Sequence, residues 1–74
     1  MADLLIYGSY GYTGELIAEA AVERGITPIL AGRTERKLAR QADELACPTR
    51  PLDLETDDVT GALADVDVVL NCAG

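Results

Sequence analysis

The stretch Gly8-Ser9-Tyr10-Gly11-Tyr12-Thr13-Gly14 decides how this chain folds. It follows an apolar run at residues 4–7 and precedes a helix-like run at residues 15–22. Strand, glycine loop and helix, in this order, form the context in which spaced glycines bind a dinucleotide. The spacing is GxxGxxG rather than GxGxxG, and an ordinary strand-to-helix turn is the competing interpretation.

Each glycine of this loop has a separate expected role. Gly8 allows the tight turn out of the strand, Gly11 lets a pyrophosphate approach the backbone, and Gly14 lets the helix pack closely. The unpaired N–H groups at the helix start, together with the helix dipole, then hold the phosphates. The predicted cofactor-binding residues of the loop are Gly8, Ser9, Tyr10, Gly11, Tyr12, Thr13 and Gly14.

Composition limits the classes of protein and partner. The 74 residues form one domain at most, and a chain of this size buries only about 60% of its unfolded surface. Its net charge of −7 argues against nucleic acid and anionic membranes as partners. Cys47 and Cys72 have no metal-binding spacing, histidine is absent, and both thiols suit a reducing cytoplasm. Neither a signal peptide nor an apolar stretch long enough to span a membrane is visible.

The rest of the chain alternates between strand and helix patterns. Predicted strands lie at residues 4–7, 28–31, 50–53 and 67–72, and predicted helices lie at 13–24, from 34 to before Pro48, and after Thr56. Gly25 is placed to cap the first helix, and Pro51 suits a strand at the edge of a sheet. Right-handed βαβ crossovers then give a parallel sheet with strand order 3-2-1-4. The predicted fold class is α/β, a βαβαβαβ half of a Rossmann-type fold.

The fourth strand indicates that the chain is one part of a larger protein. Residues 68–70 are wholly apolar, as in a covered central strand, yet no further strand follows them. We therefore expect an N-terminal part of a longer chain, whose missing C-terminal part binds a small-molecule substrate. An unpaired apolar edge is a template for another chain, so we also expect a homo-oligomer formed through the strand 4 edge.

The residues after the second strand indicate which dinucleotide binds. NAD-binding domains usually carry an acidic residue there, which accepts from the ribose hydroxyls, whereas this chain has Arg33 and Thr34. An arginine can neutralise a 2′-phosphate, Thr34 adds a hydroxyl donor, and Lys37 and Arg36 lie within one helical turn. Cations are disfavoured at a helix N-terminus, which argues against a merely solvated helix start. The sequence therefore predicts NADP (NADPH) rather than NAD.

Two further segments fall at the same predicted edge of the sheet. Asp53 ends strand 3 and is placed to accept from the adenine amino group, although Asp is equally common as a turn residue. Strand 4 ends in the small residues Cys72, Ala73 and Gly74, which leave room for the cofactor ribose and also suit close backbone packing.

Together these motifs resemble a known family. The glycine loop, Ala31-Gly32-Arg33, Lys37-Leu38 and Asn71-Cys72-Ala73-Gly74 are similar to the N-terminal NADP-binding domain of saccharopine dehydrogenase-like oxidoreductases, which include trans-acting enoyl reductases. The loop differs from the family's G-A-T-G-[FY]-T-G only in Ser9 and Tyr10. Parts of the pattern also resemble short-chain dehydrogenases, among them atypical members that sense NADP without reducing anything.

The resemblance implies hydride transfer between NADP(H) and a bound substrate in the whole protein. This chain supplies no candidate acid or base, since histidine is absent and the tyrosines fall in the first strand and the phosphate loop. Two alternatives stay open. One is a non-catalytic NADP-binding regulator, and the other is a fragment whose fold is intact but whose cofactor site is incomplete.

Overall fold

The computed structural model describes residues 3–53 and 59–72 and shows an α/β architecture. Four strands form an all-parallel sheet in the order β3-β2-β1-β4, as predicted. The elements in chain order are β1 Leu4–Tyr7, α1 Tyr12–Glu23, β2 Ile29–Gly32, α2 Glu35–Leu45, β3 Thr49–Pro51, α3 Val59–Ala62 and β4 Val68–Asn71.

The predicted boundaries differ from the observed ones by one or two residues at most strand and helix ends. Helix α1 begins at Tyr12 rather than Thr13, and β2 runs one residue further, to Gly32. Thr56, after which the third helix is predicted, lies outside the described residues. Within the described part of the chain, no helix is long and apolar enough to cross a membrane.

One face of the sheet is covered by α1 and α2. The buried residues of this core are Ile6, Ala18, Leu30, Leu38 and Cys47. Ala18 presents a small side chain, which lets α1 lie close to β1, while Leu38 fills the space beneath α2. Burial in this apolar core raises the pKa of the Cys47 thiol above its ordinary value.

The other face carries a smaller core around β1, β2 and the chain that follows β3. Its buried members are Leu5, Tyr7, Ala31 and Leu52, with Leu63 and Val66 packed against them. Successive residues of β1 therefore alternate between two apolar cores. A sheet covered on both faces accounts for the continuous apolar run of β1.

Helix α1 ends where Gly25 was predicted to cap it. Gly25 has a φ of +82°, its N–H bonds to the carbonyl of Val22 at 3.0 Å, and the N–H of Ile26 bonds to Ala21 at 2.9 Å. These paired bonds form a Schellman motif, which requires the left-handed backbone that glycine adopts without strain. The motif turns the chain back toward β2 and so sets the length of α1.

The two outer strands differ in character. Strand β3 ends at Pro51 on one edge, as its proline predicted. Strand β4 pairs with β1 on one side only, and its apolar residues are exposed by 46% at Val68, 40% at Val69 and 36% at Leu70. A strand with three consecutive apolar residues thus lies at an edge of this sheet.

Candidate functional site: a cleft at the carboxyl ends of the strands

A cleft opens where β1, β2 and β4 end, beside the glycine loop of residues 8–14. We call it the central cleft; its volume is about 170 Å³. Its described lining residues are Tyr7, Gly8, Tyr10, Gly11, Gly32, Arg33 and Cys72. Strands β2 and β3 are added on one side of β1 and β4 on the other. The cleft lies at this switch point, where open α/β sheets bind their ligands.

Gly8 makes the turn that opens the cleft. Its φ is +80°, a left-handed conformation that favours glycine. Its N–H bonds to the carbonyl of Ala31 at 2.8 Å, and the N–H of Ser9 reaches the same oxygen at 3.3 Å. The loop therefore leaves β1 while still hydrogen-bonded to β2, which fixes its position over the end of the sheet.

Gly14 has no room for a side chain. A Cβ at this position would overlap the carbonyl oxygen of Gly8 and lie 2.8 Å from the Cα of Ser9. The first turn of α1 consequently rests directly on the backbone of the loop. This is the close packing that the sequence predicts for the third glycine of the motif.

Gly11 has neither the left-handed backbone of Gly8 nor the backbone overlap that excludes a side chain at Gly14. Its φ of −75° and ψ of 169° are extended backbone that any residue adopts, and an added Cβ would approach only the carbonyl of Gly8, at 3.3 Å. Gly11 lines the central cleft. The missing side chain therefore leaves space on the cleft side, where a ligand would approach.

The start of α1 presents unpaired donors beside that space. The N–H of Glu15 bonds to Gly11 at 2.8 Å, and it is the first N–H of the helix to find a backbone partner. The N–H groups of Tyr12, Thr13 and Gly14 have no hydrogen-bond partner among residues 3–53 and 59–72. Such donors, with the positive end of the helix dipole, favour an anionic group.

Two residues of the glycine loop that are predicted to bind the cofactor, Ser9 and Tyr12, differ in the exposure of their side chains. Ser9 is fully buried, and its hydroxyl donates to Oε1 of Gln41 at 2.7 Å. Nε2 of Gln41 donates in turn to the Ser9 carbonyl at 2.6 Å, so the polar atoms of Ser9 are engaged within the chain. The side chain of Tyr12 is 82% exposed.

Tyr10 lies across the end of β2. Its hydroxyl oxygen accepts from the N–H of Thr34 at 3.3 Å, and Nζ of Lys37 lies 5.4 Å from the centre of its ring. Hydrogen bonding to Thr34 is the main cause that lowers the pKa of the Tyr10 hydroxyl, and the charge of Lys37 lowers it further. The structure thereby brings three predicted site residues into one cluster.

The predicted positively charged groups follow the end of β2. Arg33 is exposed and lines the cleft directly after β2. Thr34 is the N-cap residue of α2, although its side chain makes no capping hydrogen bond. Arg36 and Lys37 follow in the first turn of α2, and both side chains are exposed.

The remaining predicted site residues follow β3 and β4. Asp53 follows β3 at the same edge of the sheet and is half-buried, and it is outside the described lining of the central cleft. Cys72 lines the cleft, and its N–H donates to the carbonyl of Tyr7 at 2.8 Å. Ala73 and Gly74, which the sequence also assigns to the site, lie outside the described residues.

A second cavity of about 290 Å³ is lined by Tyr10, by the first turn of α1 and by residues along α2. We call it the outer cavity. Its described lining residues are Tyr10, Glu15, Lys37, Arg40, Gln41 and Glu44. Sequence reasoning missed Gln41, because a glutamine beside Arg40 in a charged helix carries no signal that it will be buried.

Comparison with known proteins supports the fold. No family model matches the chain, and no curated protein matches it. Two solved structures of the TT0495 protein from Thermus thermophilus are each 32% identical to it with a TM-score of 0.76. They match 99% and 100% of this chain, which spans about one third of their length, 32% and 34%. The likeness covers the whole sheet and its helices.

Proposed function

We propose that this chain is the NADP(H)-binding portion of an oxidoreductase that transfers hydride between NADP(H) and a small organic substrate. The observation that carries the proposal is the glycine loop with the unpaired N–H groups of Tyr12, Thr13 and Gly14 beside the central cleft. Gly11 adds support, because its backbone conformation does not require glycine and an added Cβ would meet a single close neighbour, the carbonyl oxygen of Gly8 at 3.3 Å.

The residues around the cleft fit the chemistry of the cofactor. A pyrophosphate at the start of α1 would accept from backbone N–H groups and lie in the favourable end of the helix dipole. Arg33 supplies a permanent positive charge and a planar set of donors for a 2′-phosphate, and Lys37 supplies a second charge. When bound, NADPH itself supplies the hydride, and the chain's part is to bind and orient it.

The motif resemblance supports a parent enzyme of the saccharopine dehydrogenase-like kind. The parent's substrate would then be bound by residues other than those of this chain. Cys47 and Cys72 are both free thiols, which suits a reducing compartment such as the cytoplasm.

Direct titration tests the proposal. Calorimetry of the purified chain with NADPH, NADP⁺, NADH and NAD⁺ is expected to show tighter binding of the two phosphorylated forms. Equal affinity for NADH and NADPH would contradict the assignment to NADP, and the absence of any binding would contradict the cofactor site.

A further inference from the structure

Tyr10 occupies the space that a side chain at position 32 would need. A Cβ added to Gly32 would overlap Cε2 of the Tyr10 ring and lie 3.0 Å from both its Cζ and its hydroxyl oxygen. The ring therefore packs on the backbone at the end of β2. Gly32 is compatible with this arrangement because it has no side chain.

The hydroxyl of Tyr10 fixes the start of α2. The bond from the Thr34 N–H joins residues 24 positions apart and ties the glycine loop to the N-cap residue of α2. Arg33 therefore lies between β2 and Thr34, and the N–H of Thr34 is bound to the glycine loop through Tyr10. A movement of the loop would be transmitted to this turn.

The ring of Tyr10 also restricts Lys37. A lysine ammonium within about 6 Å of an aromatic centroid is attracted to the ring face, and Nζ of Lys37 lies at 5.4 Å. Lysine otherwise has a flexible four-carbon stem. Since Tyr10 lines both cavities, its ring stands between Arg33 on the central cleft and Lys37 on the outer cavity.

We propose that Tyr10 is a positioning residue that sets the preference for a 2′-phosphorylated cofactor, by holding the ammonium of Lys37 over its ring. The inference rests on the proposed NADP(H)-binding function. A charge that is already ordered loses less conformational entropy when the phosphate arrives, so it contributes more to affinity. NADH lacks the 2′-phosphate, and its affinity is independent of this arrangement.

The test compares the ratio of NADPH to NADH affinity among variants at these positions. Tyr10→Leu removes the ring face and is expected to lower the ratio about twofold to fivefold, the range of an exposed cation–π contact. Tyr10→Phe keeps the ring over Lys37 and retains the ratio of the wild type. Because the ring acts through the ammonium, Lys37→Ala lowers the ratio at least as far as Tyr10→Leu, and the double variant matches Lys37→Ala alone.

Arg24→Ala provides the matched control. Arg24 is exposed at the C-terminal end of the 12-residue α1, about 18 Å from the glycine loop at 1.5 Å per residue, and its loss changes the net charge as Lys37→Ala does. The ratio of NADPH to NADH affinity in Arg24→Ala is expected to equal that of the wild type. Circular dichroism of every variant confirms that the comparison is made on folded protein.

Three outcomes overturn the inference. A Tyr10→Leu variant that keeps the wild-type ratio, or that weakens NADPH and NADH by the same factor, has lost only a structural contact. Additive effects of Tyr10→Leu and Lys37→Ala show that the ring does not act through the ammonium. A wild-type chain that binds neither cofactor overturns the proposed function as well, whereas failure of this inference alone leaves the wild-type preference intact.

Discussion

Ser9 and Gln41 hold each other through two buried hydrogen bonds, although they are 32 residues apart. The Ser9 hydroxyl donates to the Gln41 side chain at 2.7 Å, and that side chain donates to the Ser9 carbonyl at 2.6 Å. Gln41 is 6% exposed and Ser9 is fully buried. The pair fastens the back of the glycine loop to the middle of α2, so that the front of the loop keeps its shape over the central cleft.

Removing Gln41 from this pair is expected to destabilise the fold. Gln41→Leu leaves the Ser9 hydroxyl and carbonyl buried without their partner, and an unsatisfied buried group costs about 1–3 kcal/mol. Urea unfolding followed by circular dichroism measures the loss. Arg40→Leu, at the exposed neighbouring position, is the control and should change the free energy of unfolding by less than about 0.5 kcal/mol. Equal stability of the two variants would show that the pair contributes nothing.

The charge of Arg33 is expected to account for most of the NADPH preference. Arg33→Ala should reduce that preference by about 1.5–3 kcal/mol, the contribution of hydrogen bonds to a charged group. Calorimetric titration with NADPH and NADH measures it. Arg24→Ala removes an exposed arginine from the far end of α1 and should leave the preference unchanged. The same loss in both variants would indicate a general charge effect rather than a specific phosphate contact.

Gly11 and Gly14 are expected to fail in different ways when a side chain is added. Gly11→Val should abolish cofactor binding and leave the helical circular dichroism largely intact, because its backbone is extended and its side chain would fill the cleft side of the loop. Gly14→Ala should destabilise the fold itself, since its Cβ would overlap the backbone at Gly8 and Ser9. A Gly11→Val variant that binds NADPH as the wild type does would exclude the loop as a phosphate site.

The chain alone is expected to show no oxidoreductase turnover. It contains no histidine, and the family resemblance implies that the substrate is bound by residues outside this chain. The absorbance of NADPH should therefore remain constant when candidate substrates are added to the purified chain. Substrate-dependent consumption of NADPH that scales with protein concentration would contradict this expectation.

Self-association through β4 is the remaining prediction. Val68, Val69 and Leu70 are partly exposed on a strand whose outer edge has no partner strand in the described sheet. Two copies could pair these edges antiparallel to make one continuous sheet. Since a net charge of −7 opposes association, raising the salt concentration should favour it by screening.

Sedimentation at two salt concentrations measures this association. Val69→Lys places a charge on the edge strand and should shift the chain toward the monomer, whereas Leu16→Lys, on the exposed surface of α1, should not. A wild-type chain that stays monomeric at high protein and high salt concentration would show that the β4 edge is protected in another way.

The alternation of apolar runs with glycines, prolines and amphipathic segments was sufficient to predict the strand order. Local rules apply to those features: Gly25 ends α1 because only a left-handed residue completes the Schellman motif, and Pro51 marks an edge because it donates no hydrogen bond. The distinct roles of Gly8 and Gly14 followed from the same steric reasoning. None of these inferences required knowledge of contacts between distant residues.

Only the tertiary structure determined the positions and contacts of the side chains between the glycines. Ser9 and Tyr10 are neighbours in a loop, yet one is buried against Gln41 and the other lies over Gly32 toward Thr34 and Lys37. These partners lie 22 to 32 residues away along the chain, and no local pattern links them. Their positions depend on how α2 packs beside the loop, because hydrogen bonds and close packing between distant segments are formed only after the sheet brings those segments together.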